Sequence, residues 1–297
     1  MTDPSALADL PCYLNGEFTT LPNAKVSVMD RGFIFGDGVY EVVPVYEGRP
    51  FRFGDHMARL DRSLGELRIA NPMPRDDWAG VVAELVQRYA AQQGKPAAQT
   101  NQLVYLQVTR GVAMRDHTMI PGLQPTVFAM TNRLPVYSAE DRARGVACVC
   151  ADDFRWKKAH VKSTSLAGAV LARQVSADVG ASETIMFRDG WLSEAAASNV
   201  WVIKDGAVAG APRDGLVLEG IRYGLIEDIC RASGIPFELR RISRDEVFAA
   251  DEILLSSATK EVLAVTQLDG RPVANGRPGP IYERLYAAYQ QAKRAPS

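Results

Sequence analysis

Lys162 stands in the run Arg155-Trp156-Lys157-Lys158-Ala159-His160-Val161-Lys162-Ser163-Thr164, just ahead of the small-residue stretch Leu166-Ala167-Gly168-Ala169. Such a run can be a solvated basic loop. Lys162 differs from Lys157 and Lys158 in following an apolar residue at the mouth of a helix. An amine held partly out of water gives up its proton more readily and can attack an aldehyde. A second candidate is Leu192-Ser193-Glu194-Ala195-Ala196-Ala197-Ser198-Asn199-Val200, one carboxylate followed by small residues. It reads either as a surface turn or as an acid beside a flat ligand, with the small residues giving that ligand room. A third set suits an anion. Glu219-Gly220-Ile221-Arg222 opens a helix whose first N–H groups are unpaired. Ser256-Ser257-Ala258-Thr259 follows an apolar strand and offers hydroxyls and amides. Arg59 offers a guanidinium fork. Each of these is common by accident when taken alone.

These residues need elements to hold them. Asn15-Gly16 is a hairpin signal. Val39 to Tyr46 reads as a strand, and Pro44 within it demands an edge or a bulge. Met57, Leu60, Leu64 and Leu67 predict a helix over Asp55 to Leu67, and a second covers Asp76 to Gln92. Gln102 to Thr109 and Thr126 to Met130 return to strand. Beyond a break at Arg133 to Ser138, short strands alternate with helices. One helix runs over Thr164 to Val179, with Ser163 or Thr164 as N-cap and Gly180 as its stop. Another spans Ile221 to Ala232, and the last runs over Ile281 to Lys293. The expectation is an α+β chain with mixed sheets and helices: residues 1–132 as a smaller domain, 133–138 as a linker, and 139–297 as a larger domain carrying Lys162. Arg31 to Gly38 is glycine-rich but precedes a strand, so it is not a dinucleotide fingerprint; its glycines permit tight turns.

The bulk properties exclude several classes. The formal net charge of -1 favours neither nucleic acid nor an anionic membrane. No apolar stretch approaches the ~20 residues of a membrane helix. Met1 to Leu10 lacks the charged start and apolar run of a secretory signal. Cys148 and Cys150, two apart on a predicted strand, have no further ligands nearby, and three histidines are few for a metal centre. No metal is expected, and the cysteines suit a reducing cytoplasm.

Taken in order, the chain resembles the fold type IV pyridoxal-phosphate (PLP) enzymes, the class IV aminotransferases, and within them the D-amino acid aminotransferases. The resemblance rests on Asp30-Arg31-Gly32, Phe35-Gly36-Asp37-Gly38-Val39-Tyr40-Glu41, His56 to Leu60, Gln107-Val108-Thr109-Arg110-Gly111, Arg115-Asp116-His117, Val161-Lys162-Ser163, Glu194 with Ser198-Asn199, Leu218 with Gly220-Ile221, and Ser257 with Thr259. These pieces span nearly the whole chain.

The resemblance implies a two-domain homodimer using pyridoxal 5'-phosphate, with active sites near the subunit interface. Lys162 would bind the cofactor as a Schiff base and move the proton, while Glu194 would pair with its ring nitrogen. Arg59, Ile221 and the Ser257 to Thr259 turn would hold the phosphate, with Gly220 and Arg222 beside it, and Leu218 would pack on the ring. Tyr40, Arg115 and His117 match a trap for the substrate carboxylate, the last two reaching in from the partner subunit. The amino donor would be a D-amino acid such as D-alanine or D-glutamate, and the acceptor pyruvate or 2-oxoglutarate. Three residues depart from the pattern: Arg222 replaces a phosphate-binding Thr, Ala258 replaces a hydroxyl, and Pro44 interrupts a strand. A branched-chain L-amino acid aminotransferase, an R-selective amine transaminase or an aminodeoxychorismate lyase would also keep Lys162. Arg115-x-His117 is what favours the D-amino acid reading, since an α-carboxylate needs a cationic fork with a second donor beside it.

Overall fold

The computed structural model describes residues 7–294, so most of the segment read for a secretory signal, residues 1–6, lies outside it. The chain forms two compact units. The first runs up to Leu134 and takes in Val161–Ser165. The second comprises Pro135–His160 and the chain from Leu166 onward. Lys162 therefore groups with the first unit, whereas the sequence assigned it to residues 139–297. The reason is backbone pairing: Tyr40 N–H donates to Lys162 O at 3.0 Å, and Thr164 N–H donates to Gly38 O at 2.9 Å.

The first unit contains β1 (Pro11–Leu14), β2 (Glu17–Thr20), α1 (Arg31–Phe35), β3 (Gly38–Tyr46), β4 (Arg49–Pro50), α2 (Phe53–Glu66), α3 (Arg75–Gln92), β5 (Gln102–Thr109) and β6 (Thr126–Arg133). Its antiparallel sheet has the order β2-β1-β6-β5-β3-β4. Asn15 and Gly16, both at positive φ, make the β1–β2 turn. On the outer side of β3, β4 pairs only with the last two residues and the Lys162 segment with the first three, and the N–H that Pro44 lacks falls between them, where it is tolerated. Alternation along β5 sends Val104, Leu106 and Val108 into the core with Met57, Leu60 and Leu64 of α2 and Trp78, Val82 and Leu85 of α3. Tyr105 and Gln107 point to the other face of the sheet.

The second unit contains α4 (Ala139–Arg144), β7 (Val146–Asp152), α5 (Ala167–Asp178), β8 (Glu183–Arg188), β9 (Trp191–Ala195), β10 (Asn199–Lys204), β11 (Ala207–Gly210), α6 (Ile221–Ala232), β12 (Phe237–Leu239), α7 (Arg244–Phe248), β13 (Glu252–Ser257), β14 (Glu261–Leu268), β15 (Arg271–Pro272) and α8 (Pro280–Ala292). The sheet is mixed, ordered β12-β11-β10-β13-β14-β7-β8-β9 with β15 on β14; β12/β11, β14/β7 and β7/β8 are parallel. Its core gathers Ile185, Phe187, Leu192, Val200, Val202, Ile253, Leu255 and Leu263. Ile221, Leu225 and Ile229 are all buried, as their spacing on α6 requires.

Two local expectations change. Helix α5 begins at Ala167 after Leu166, with no side-chain cap. Ser163 and Thr164 are not its N-cap because both are engaged elsewhere, Ser163 in a bridge to Val39 and Thr164 through Oγ1 to Gly36 O at 2.9 Å. The glycine-rich run holds a short helix, α1, capped by the Asp30 carboxylate and closed by Gly36 in the left-handed region. Among the described residues no helix is long and apolar enough to cross a membrane.

Gly36 has φ +65°, and an added Cβ would lie 2.7 Å from Ser165 Oγ and 3.0 Å from Ser165 Cα. Gly36→Val is expected to destabilise the chain by roughly 2 kcal/mol or more, through left-handed strain plus this overlap. A urea midpoint unchanged from wild type would show that the turn rebuilds without cost.

Candidate active site

Two backbone hydrogen bonds to β3 fix the segment that carries Lys162, and a third, from Lys162 N–H to Ser63 Oγ at 3.2 Å, ties it to α2. The Lys162 Nζ then lies 4.1 Å from the centroid of the Tyr40 ring. No carboxylate pairs with it among the described residues. Tyr40 is stacked on Tyr105, centroids 5.6 Å apart, and Tyr105 donates its hydroxyl proton to Gln107 Oε1 at 2.6 Å. Burial raises Tyr105 well above the ordinary phenol range, and the neighbouring Tyr40 adds to the effect, so its proton stays on. Lys162 and Tyr40 are thus brought together. Tyr105 was missed in the sequence, where it looked like an ordinary strand aromatic.

Arg59 lies in α2 with its guanidinium against a carboxylate on β3. Its Nε and Nη2 donate to the two oxygens of Glu41 at 2.7 and 2.8 Å, and His56 Nδ1 sits 2.7 Å from Glu41 Oε2. Burial alone would raise Glu41. Arg59, by charge and hydrogen bonds, and then His56 outweigh it and hold Glu41 far below the usual carboxylate range. Glu41 faces the core, opposite to Tyr40, so one strand supports both.

Arg115 and His117 lie exposed in the loop between β5 and β6. Both rest on one ring: the Arg115 guanidinium is 5.4 Å from the Phe35 centroid, and the His117 ring is 5.3 Å from it. Arg31 supports the loop by donating to Asp116 O at 2.6 Å, and it also binds Asp37, which a bidentate Arg110 shares.

In the second unit Glu194 lies on β9 and is buried, so it is not the surface turn that its small neighbours allowed. Oε1 accepts from Arg155 Nη1 at 2.9 Å; Oε2 accepts from Leu218 N–H at 3.2 Å and Asn199 Nδ2 at 3.3 Å. Burial pushes the Glu194 carboxyl up to about 7, against the opposing pull of Arg155. Asn199 also donates to Leu218 O at 2.9 Å. It therefore fixes the strand entering β10 and the segment preceding α6. Gly220, Ile221 and Arg222 begin α6, which has no side-chain cap. The Arg222 side chain is buried, with Nε donating to the Tyr289 hydroxyl of α8 at 3.2 Å. Ser257 ends β13 and, with Ala258 and Thr259 in the turn that follows, is half-buried; its Oγ accepts from Lys260 N–H at 3.1 Å.

These groups fit PLP. A buried carboxylate with an acceptor position left suits a ring nitrogen that must stay protonated, because the ring cation would in turn favour the ionised acid. Ser198 Oγ is buried without a partner among the described residues. A Cβ on Gly220 would fall 2.1 Å from Asn199 Oδ1, so glycine keeps this approach open. The sequence missed Arg155, which lay within a basic run, and the roles of Glu41 and His56, which emerge only when β3 meets α2.

In the cofactor-free protein, protonated Glu194 favours the native state, because the folded value of about 7 exceeds the reference of 4.5. Its stabilising share is whole below that reference and is lost as pH rises through about 7. Glu194→Gln lacks this dependence. Cofactor-free wild type should therefore lose stability relative to Glu194→Gln between about pH 4.5 and 7, read from paired urea midpoints. A constant difference would show that Glu194 does not titrate there.

The comparisons with known proteins agree with this chemistry. The family described as Amino-transferase class IV matches residues 38–268. The D-alanine aminotransferase of Bacillus licheniformis is 35% identical over 279 residues, covering 94% of this chain and 95% of that protein. That of Staphylococcus haemolyticus is 33% identical over 280 residues, covering 94% and 96%. Among solved structures, a T.th. branched-chain amino acid aminotransferase with pyridoxamine 5'-phosphate shares the fold at TM-score 0.86 and 22% identity, covering 98% of this chain and 97% of that one. The Escherichia coli branched-chain enzyme does so at TM-score 0.84 and 24% identity, covering 96% and 94%. The chain belongs to the class IV aminotransferases.

Proposed function

We propose that the chain is a D-amino acid aminotransferase of the D-alanine transaminase type. It moves the amino group of a D-amino acid, such as D-alanine or D-glutamate, to pyruvate or 2-oxoglutarate. The observation that carries the D-amino acid part is the Arg115–His117 pair, two cationic or donor side chains set on one Phe35 ring in an exposed loop. The relatives at 33–35% identity, themselves D-alanine aminotransferases, support it. The branched-chain structural neighbours show the fold and do not choose the substrate.

The cofactor is pyridoxal 5'-phosphate, which supplies a protonated ring that takes up the electron pair left at Cα when a proton departs. Lys162 Nζ would hold it and would serve as the general base and acid that moves the Cα proton. The Tyr40 ring beneath Nζ restricts where that nitrogen can move. Glu194 is assigned to the ring nitrogen and Leu218 to the ring face. The phosphate is assigned to Arg59, the first amides of α6 at Ile221 and Arg222, and the Ser257–Thr259 turn. Because the Arg222 guanidinium is turned to Tyr289, its part is its backbone N–H.

Arg115 and His117 clamp the α-carboxylate, with Tyr40 as a third contact. With the carboxylate clamped and the Cα–H toward Lys162, exchanging enantiomers drives the side chain into the wrong space. The clamp acts from the partner subunit of a homodimer. Support comes from apolar residues left exposed: Val26, Val28, Phe33, Val112 and Met114 in the first unit, and Val170, Leu171 and Val175 along α5, with Val179 at its end, in the second. Placement in the cytoplasm belongs to the same reading, and the four cysteines, all free, fit it.

A coupled screen of D-alanine, D-glutamate, L-leucine and an R-amine against both oxo acids tests the substrate class, and L-leucine turnover above D-alanine would overturn it. Lys162→Ala is expected to lose the visible absorption of the bound cofactor and nearly all turnover. Borohydride trapping should label Lys162, and a label on Lys157 or Lys158 would remove that assignment.

Arg115→Ala should lower kcat/KM for D-alanine by about 30-fold or more, the effect of losing one charged partner worth roughly 2–5 kcal/mol. Turnover of an amine without a carboxylate should fall much less. Mixing inactive Lys162→Ala chains with Arg115→Ala chains should restore activity, because some mixed dimers would carry one intact site. No recovery after confirmed subunit exchange would place Arg115 outside any clamp acting in trans.

A further inference from the structure

Arg155 lies between two buried carboxylates and serves them unequally. Its Nε and Nη2 both go to Asp153, at 2.9 Å each, and its own backbone N–H adds a third bond to Asp153 Oδ1 at 3.1 Å. Only Nη1 reaches Glu194. Asp153 comes directly after β7; its side chain is wholly buried and also binds Arg188 Nη2 at 3.0 Å. Two arginines therefore face two carboxylates, a neutral cluster, and nothing in the proposed reaction uses Asp153.

An ionised carboxylate has about four lone-pair positions. In Glu194 three are filled, one by Arg155 on Oε1 and two by Asn199 and Leu218 on Oε2. The remaining position is on Oε1, beside Arg155. An arginine free to rotate prefers two parallel bonds to one carboxylate. On Glu194 that preference needs a second nitrogen at Oε2, so Arg155 could satisfy it only by displacing Asn199 or Leu218 and turning the carboxylate out of the setting that leaves its Oε1 position open. Asp153 already satisfies it, on the side-on face of the same guanidinium.

We propose that Asp153 is a positioning residue for the cofactor: by holding Arg155 side-on it limits Arg155 to a single bond with Glu194 and keeps the last acceptor position of Glu194 for the ring N–H. This rests on the assignment of Glu194 to the ring nitrogen. The charged and titratable groups around Glu194 and Asp153 are Arg155 after β7, Arg188 on β8 and Tyr223 on α6, with the Ser193 hydroxyl of β9 bonded to Asp153. Only Arg155 bonds both acids.

The test uses PLP-loaded enzyme with three readouts: PLP dissociation constant, the pH midpoint of the bound cofactor's visible absorption, and kcat against KM for D-alanine. Asp153→Asn keeps the shape and drops the charge. It should shift the pH midpoint, weaken PLP binding and lower kcat by about 10- to 100-fold, the usual scale when a supporting group lets a reacting centre drift, with KM within about twofold. Adding Arg155→Lys should reverse most of the loss, because an ammonium makes no fork. A midpoint and kcat equal to wild type in Asp153→Asn, or a loss that Arg155→Lys does not relieve, would overturn the proposal and leave Asp153 a purely structural acid. Glu194→Gln, measured alongside, separates the two claims: if it alters the midpoint while Asp153→Asn does not, only this inference falls. If Glu194→Gln itself changes nothing, the ring-nitrogen assignment falls first. Should Asp153→Asn fail to fold, Arg155→Lys in the native chain carries the test. A near-native midpoint supports the single-bond requirement, and one displaced as far as in Glu194→Gln overturns it.

Discussion

The position of Lys162 depends on two backbone hydrogen bonds to β3, Tyr40 N–H to Lys162 O and Thr164 N–H to Gly38 O. A lysine has four rotatable bonds, and a loop could leave its nitrogen anywhere in a wide sphere. Clipping Val161–Ser165 to a strand fixes the Cα, and the Tyr40 ring on the same strand limits the nitrogen. The clip then sets its own conditions. Gly36 and Gly38 must lack side chains, because a Cβ on either would collide with the Thr164–Ser165 segment or with β5. Thr164 must offer Oγ1 to Gly36 O, and so cannot cap the helix that follows.

Each unit also carries a buried charge cluster, and the two differ in purpose. In the first, Arg59 gives two nitrogens to Glu41, with His56 on the same carboxylate. Removing one partner from such a pair leaves a buried charge uncompensated and is costly, even where the intact pair adds little net stability. What the pair contributes is a fixed guanidinium. In the second, Asp153, Arg155, Arg188 and Glu194 form a chain in which one acid keeps an open acceptor position. The first cluster fixes the guanidinium proposed for the phosphate; the second leaves an acceptor position at Glu194.

Much of this was legible because it is local. Asn15-Gly16 makes its turn through its own backbone preferences, and Ile221, Leu225 and Ile229 announce α6 by spacing alone. Lys162 and Glu194 stood out through order and spacing along the chain. What the sequence hid is non-local or short. Five residues of α1 are too few to show a helical period. Arg155 meets Glu194 across 39 positions, and Glu41 meets Arg59 across 18, so neither partner marks the other in a linear reading. Ser163 and Thr164 carried a sound local cap signal that tertiary pairing overrode.

The departures from the family pattern follow the same physics. A helix start binds an anion through amides and dipole, which any residue type but proline supplies. On the proposed reading, Arg222 in place of a hydroxyl would remove one side-chain donor and leave the amides in place. The new guanidinium is drawn into the packing of α6 on α8 by the Tyr289 hydroxyl, which accepts from Nε. A buried arginine needs such an acceptor more than a phosphate needs one more donor, since unpaired buried charge costs more than a lost neutral hydrogen bond. Pro44 is tolerated for a parallel reason: the outer side of β3 is paired by the Lys162 segment at Gly38 to Tyr40 and by β4 at Val45 and Tyr46, and the N–H that Pro44 lacks falls between them, so its absence breaks no inner ladder. In both places the substitution falls where the backbone, rather than the side chain, carries the interaction.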